Sequence, residues 1–188
     1  YKKWGDAEGD NGYAIDTEKF YENVMNRYKY GGLDTPGLYL DETTMRICYS
    51  HRRLFAQLAK ELVKQGDNAR AQKVLAYAEQ AIPAYNVPQV YESGSYEIAT
   101  AYASIGESGK AITLLNDLIA ESRDYIDWAF SLGDSRIAMV QRDCQYKFWQ
   151  WNQCNELLKD MDKERYKQSN QQFEEKYMRL AQLMNYQN

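Results

Sequence analysis

The chain has 188 residues, with 23 Lys+Arg against 27 Asp+Glu and a formal net charge of −4. That length supports a core without disulfides or metals, organised as one domain or two very small ones. A single histidine, His51, and three cysteines, Cys48, Cys144 and Cys154, exclude a metal site of several histidines and argue against a disulfide framework.

The 44% hydrophobic content and mean hydropathy of −0.74 suit a globular protein. Only 11 Gly and 3 Pro interrupt the chain, which favours long helices over many short strands. Mild acidity argues against nucleic acid as a partner, since that needs a concentrated basic surface. No apolar run reaches the ~18–20 residues of a membrane span, and no signal-peptide core opens the chain. The chain begins at Tyr1 rather than Met, so it is expected to be processed or cut from a larger protein, with any targeting or membrane segment outside it.

Residues 1–15 hold three glycines and no periodicity and read as an extended lead-in. Within them Asp6-x-Glu8-x-Asp10-Asn11-Gly12 has the start of a calcium loop, but the sixth place is Asn11 and the twelfth is Thr17. It reads as an acidic lead-in, and no metal is expected. Asp16 or Thr17 caps a first helix carrying Phe20, Tyr21, Val24, Met25 and Tyr28, which Gly31-Gly32 ends. After the loop 31–40, Asp41 caps a helix from about 42 to 65. Gly66 ends that helix, Asn68 caps the next, and this one stops before Pro83. The basic cluster His51, Arg52, Arg53 with Lys60 and Lys64 reads as a solvated helix face or a phosphate or acidic-partner site.

Ala59, Leu62, Gly66, Ala71 and Leu75 recur forty residues later as Ala99, Tyr102, Gly106, Ala111 and Leu115. Small residues at matched places let the helices of a hairpin approach closely, which is the signature of stacked helical hairpins. The first copy, Phe55-x2-Leu58-Ala59-x2-Leu62, then Ala71-x3-Leu75-x2-Ala78 and Pro83, resembles the tetratricopeptide repeat. The second keeps Ile98-Ala99-x2-Tyr102 and Ala111-x3-Leu115, with Ser95 in the aromatic place and Arg123 in the proline place. The extra residues of each period fall in the linker around 85–90. The expected fold is all-α: a tetratricopeptide-like superhelix of stacked hairpins, about 42–83 and 92–121, within one domain over 16–188.

The last third differs. Ile137, Val140, Cys144, Phe148, Trp151, Leu158 and Met161, then Tyr166, Phe173, Tyr177, Leu180 and Met184, follow a three-four spacing. They predict a capping antiparallel helix pair over about 135–186, with the turn near 162–164 and Asn170 in the seam. On one helix Cys144 and Cys154 would stand ~15 Å apart, too far to bridge, and all three cysteines read as buried apolar residues.

A more specific resemblance covers most of the chain. Lys3-Trp4-Gly5-Asp6, Leu40-Asp41, Arg52-Arg53-Leu54, Leu58-Ala59-x2-Leu62-x3-Gly66, Lys73-Val74-Leu75, Pro83, Tyr102, Gly106 and Lys110-Ala111 carry it. The chain resembles the soluble C-terminal region of a bacterial multi-pass membrane protein family related to lipid-linked-sugar glycosyltransferases and protein O-mannosyltransferases. The resemblance implies a membrane-tethered, extracytoplasmic (periplasmic) domain. In such proteins the catalytic carboxylate sits in the membrane part, so no catalytic residue carries over.

No catalytic constellation emerges from the residues. Asp124 with Asp127, Asp160 with Asp162, and Glu174-Glu175 read as caps or solvated faces rather than a glycosidase pair. Ser93-Gly94-Ser95 reads as a helix cap rather than a nucleophile elbow, and His51 has no Cys or Ser partner nearby in sequence. By the repeat analogy, a partner groove is lined by Arg53, Ala56, Lys60 and Lys64, then Ser93, Tyr96, Thr100 and Ser104. A second candidate is an exposed aromatic contact at Trp149 and Trp151, beside Tyr146 and Phe148; these two tryptophans lie about 200° apart on a helix and cannot share burial. The expectation is a non-catalytic docking domain, without cofactor or metal, whose partner is a protein or its own membrane domain. The alternatives are a secreted or lipid-anchored glycan-binding repeat protein and, last, a carbohydrate-active enzyme.

Overall fold

A computed structural model describes residues 15–185, and within it the side chains of Ser135, Met184 and Asn185 are left aside. The lead-in, its acidic motif, the Lys3–Asp6 part of the resemblance and the burial of Met184 therefore lie outside the described residues. The described chain is all-α. It divides into two compact units, 1–88 and 89–188, at the linker that interrupts the forty-residue spacing, where the sequence is read as one domain.

In the first unit a short helix α1 (Thr17–Glu22) starts at Asp16, whose carboxylate accepts from the Lys19 N–H at 3.1 Å. A π-helical turn over Asn23–Arg27 continues it and ends as Tyr28 becomes extended, three residues before the glycine pair expected to stop it. The long helix α2 (Glu42–Lys64) is capped by Asp41, which accepts from the Thr43 and Thr44 N–H groups at 2.8 and 3.1 Å. The Thr44 hydroxyl, which donates to the same carboxylate at 2.6 Å, and these backbone bonds hold the Asp41 carboxyl below its ordinary range. Helix α3 (Asn68–Ala81) follows. Its cap is Asp67, not Asn68: the Asp67 carboxylate accepts from Arg70 N–H at 3.0 Å and Arg70 Nε at 2.6 Å. Helices α2 and α3 pack as a hairpin around Phe55, Leu58, Leu62, Val74 and Leu75, all fully buried. Arg70 also reaches Glu18 at 2.8 Å, and Gln65 donates to the Thr17 hydroxyl at 2.9 Å, which seats α1 on the hairpin.

In the second unit a 3₁₀ turn at Tyr91–Ser93 precedes α4 (Ser95–Ser104) and α5 (Ser108–Ser131). Ser93 does not cap α4 as expected: the N-cap is Gly94, at φ +85° and without a side-chain bond, while the Ser93 hydroxyl donates back to the Val90 carbonyl at 2.7 Å and closes the 3₁₀ turn. Helix α5 runs ten residues past the expected end of its hairpin, because Ile126, Ala129 and Phe130 continue its buried stripe. A short helix α6 (Asp134–Ile137) and a 3₁₀ turn to Val140 then lead into α7 (Gln141–Met161), so the single helix expected from 135 is broken before it begins its long run. Asp162 links α7 to α8 (Lys163–Asn185), accepting from Arg165 N–H at 3.0 Å. Helix α7 packs against both α5 and α8. Phe173 on α8 stands edge-on to Phe148 and Trp151 of α7, at 5.4 and 5.7 Å between ring centroids.

The forty-residue spacing reappears as local structure in each hairpin. Gly66 and Gly106 take φ of +77° and +84°, and the following N–H returns to Leu62 O at 2.9 Å and to Tyr102 O at 3.0 Å. A left-handed residue at the place after a helix costs a glycine nothing and most other residues about 1 kcal/mol. The matched residues Ala59, Leu62, Ala71 and Leu75, and Ala99, Tyr102, Ala111 and Leu115, are all buried.

Candidate functional site

Positions 146 and 149 are three apart on α7, so their side chains share one face. Tyr91 stands in the 3₁₀ turn before α4, and Tyr96 in the first turn of α4. These four residues meet as a continuous ladder of rings. Tyr96 stacks on Tyr91 with centroids 5.1 Å apart and planes at 21°. Tyr91 meets Trp149 edge to face at 5.4 Å, and Trp149 stacks on Tyr146 at 5.6 Å with planes at 14°. Contacts of this kind contribute about 0.5–1.5 kcal/mol each beyond burial. Tyr146 and Trp149 nonetheless each leave 47% of their surface in solvent, while Tyr91 and Tyr96 are half-buried. Burial, reinforced by nearby Cys154 and Glu97, pushes both phenols above their ordinary range, so they stay neutral hydrogen-bond donors.

Polar residues adjoin the ladder residues along the chain. Gln150, fully buried, donates from Nε2 to Glu92 Oε1 at 2.6 Å, and its own Oε1 has no partner. Lys147 donates to both Glu121 oxygens at 2.8 and 3.0 Å and stands 3.7 Å from Glu92. Its charge is therefore answered from two sides. Of the two charged residues between Gln89 and Ser104, Glu92 is engaged by Gln150 and Lys147 and Glu97 is exposed, so the character of this surface is set by its aromatic rings. Such a surface can hold a partner by stacking and apolar burial; it presents no nucleophile paired with a base.

The sites anticipated from sequence are redistributed. Tyr96 of the groove and Trp149 of the aromatic contact come together through Tyr91, a residue that no motif in the sequence singles out. Trp151 is the correction: it is fully buried, and its indole N–H donates to the Ser169 hydroxyl at 2.8 Å, so it belongs to the core and to no exposed contact. Thr100 is exposed, but its hydroxyl is spent on the Tyr96 carbonyl at 2.9 Å. Arg53, Lys60 and Lys64 are exposed on α2 in the first unit. Arg53 donates to the Ser50 hydroxyl at 3.1 Å and Lys64 pairs with Glu61 at 2.9 Å.

The basic cluster also divides. Arg52 is only 3% exposed, and its guanidinium donates to the carbonyls of Pro88 at 2.8 Å, Ile82 at 3.2 Å and Val87 at 2.7 Å. Burial brings its pKa down to about 10, which leaves it charged at neutral pH. His51 lies between the edges of Tyr28 and Tyr30, at 5.8 and 5.6 Å, with its Nδ1 buried and unpartnered.

Most members of the acid pairs bond within the fold, Asp124 lying 3.7 Å from Arg123, while Asp160 is exposed. Asp127 pairs with Lys176, Asp162 caps α8, and Glu174 and Glu175 accept from Asn170 and Gln171 one turn earlier. The three cysteines are free and buried. Among the described residues no group of three His, Cys, Asp or Glu is placed to hold a metal, and no helix is long and apolar enough to cross a membrane. Compared with known proteins, the chain matches no family model, no curated protein and no solved structure.

Proposed function

We propose that this chain is a non-catalytic docking domain, built on tetratricopeptide-like hairpins and attached to a membrane glycosyltransferase-like protein. Its contact surface is the ring ladder Tyr96–Tyr91–Trp149–Tyr146, and its partner is a protein or the membrane part of the same protein. The observation that carries this reading is the exposure of stacked Tyr146 and Trp149 on a rigid helix, since aromatic side chains held in place and left in water are typical anchors of protein contacts. Several groups with shifted titration are in keeping with it. Arg52, Cys48, Cys144, Cys154, Tyr30 and Tyr91 are shifted chiefly by burial, and Asp41 and Asp67 by capping, which are roles in folding. The tie to a membrane enzyme, and with it an extracytoplasmic location, rests on the resemblance carried by the motifs from Leu40-Asp41 to Lys110-Ala111.

The test is a photo-reactive amino acid at position 146 of the full-length protein in its native membrane. The expected product is a protein adduct, from a partner or from the chain's own membrane part, that disappears with Trp149→Ala and persists when Tyr39, an exposed tyrosine of the first unit, is replaced instead. A glycan adduct in place of a protein adduct overturns the docking reading in favour of a glycan-binding protein.

A further inference from the structure

The first unit contains a hollow of about 250 Å³ between the chain leaving the π turn and the last turn of α3. Tyr28, Tyr30 and Tyr77 supply rings to its lining, and Asn26, Asp34 and Gln80 supply amide and carboxylate groups. Gly31 and Gly32 also line it, with φ of +43° and +78°, a backbone form that glycine adopts without strain.

The surrounding structure is held in place before any ligand arrives. Tyr30 stands edge-on to Tyr77 at 6.0 Å, packs against Phe55 at 5.4 Å, and donates its hydroxyl to the Val24 carbonyl at 3.3 Å. The loop bearing Asp34 is fastened by buried Asn86, whose amide donates to the Leu33 and Thr35 carbonyls at 2.7 and 2.6 Å. Tyr85 adds a hydrogen bond to the Asp34 carbonyl at 2.7 Å. Preorganisation of this kind lowers the entropy cost of binding.

Size and lining select the ligand. Pockets for drug-sized molecules run to ~300–1,000 Å³, so this one has room for a single small ring. Its polar groups argue against a purely apolar guest. Lys29 and Asp34 oppose each other in charge and are both exposed, so neither sign of ion is favoured, and exposed charges hold a small zwitterion only weakly in water. Aromatic rings beside planar acceptors suit a guest that is apolar on one face and hydroxylated at its edge.

We propose that the hollow binds one pyranose unit of a neutral sugar, its C–H face against the tyrosines and its hydroxyls donating to Asp34 and Gln80. The site is separate from the ring ladder and stands or falls independently of the docking reading. The test is titration of the ¹⁵N-labelled 188-residue chain with the methyl glycosides of mannose, glucose and N-acetylglucosamine, with free glycine as the zwitterionic probe. The expected result with at least one sugar is a saturable shift of the Gly31, Gly32, Asp34 and Gln80 amides. Asp34→Ala and Gln80→Ala, both at exposed positions, should each weaken it about fivefold or more, and Trp149→Ala should leave it unchanged. The proposal is overturned by no saturable shift with any of the three sugars, by shifts with glycine alone, or by sugar-induced shifts confined to the Tyr146 and Trp149 signals.

Discussion

The indole N–H of Trp151 on α7 donates to the hydroxyl of Ser169 on α8 at 2.8 Å, and that hydroxyl donates onward to Asn155 Oδ1 at 2.6 Å. Trp151 and Asn155 are fully buried and one turn apart on α7, so a single serine satisfies two buried polar groups at once. Ser169→Ala leaves both without partners. The expected loss is about 2 kcal/mol of unfolding free energy, read from urea denaturation. Trp151→Phe should cost less in the Ser169→Ala background than in the native chain, because there the hydrogen bond is already lost and the substitution removes an orphaned N–H. Equal costs in the two backgrounds would mean that the relay is not coupled.

Trp149 and Trp151 differ by two positions and should differ sharply in consequence. Trp149→Ala removes an exposed ring with two ring neighbours and is expected to cost about 1 kcal/mol, leaving the fold intact. Trp151→Ala empties a fully buried site and should cost about 3–5 kcal/mol. Thermal unfolding followed by far-UV circular dichroism separates them. A larger loss for Trp149→Ala than for Trp151→Ala would contradict the burial described above.

Arg52 fastens the chain after α3 through three carbonyls, those of Ile82, Val87 and Pro88. Arg52→Met keeps much of the buried stem but leaves those carbonyls without their donor. A loss of about 2–4 kcal/mol is expected, with faster amide exchange across 82–88 and little change at the α2 amides around Leu58. Unchanged exchange over 82–88 would show that other contacts hold this segment.

Much of this architecture was legible because its signals are local. Asp41 caps where an aspartate before a periodic run should, and Gly66 and Gly106 turn the chain where a left-handed residue is needed. The choice between Asp67 and Asn68 was not legible, since both are good caps and only the geometry decides which side chain reaches Arg70 N–H. The ring ladder was half legible. Tyr96 and Trp149 stood out separately, but the residue joining them, Tyr91, lies in a 3₁₀ turn without the periodicity that marks a helix face. Trp151 carried two readings: its three-four spacing with Cys144, Phe148 and Leu158 marks the packed face, and the structure buries it there against Ser169 and Phe173, which leaves no exposed contact.

Cys154 makes stability fall in alkaline solution. It is fully buried, and desolvation, with Glu121 adding to it, pushes its thiol up to about 12 from an ordinary value of 9.0. Below that ordinary value both folded and unfolded chains carry the neutral thiol, and its contribution to stability is fully present. As pH rises through the interval up to the folded value, the unfolded chain loses its proton first, so the unfolded state gains and stability drops. The maximal slope for one such group is about 1.4 kcal/mol per pH unit. Cys48, Cys144 and Tyr91 are shifted in the same direction and steepen the fall, but they remain in a Cys154→Ala variant and cancel in the comparison. Between about pH 8 and pH 10.5 the native chain should therefore lose roughly 2 kcal/mol more than Cys154→Ala, whatever constant penalty the smaller side chain imposes. Urea denaturation of both proteins across that interval checks it. Parallel stability curves would mean that the Cys154 thiol is not protected from ionisation by its burial.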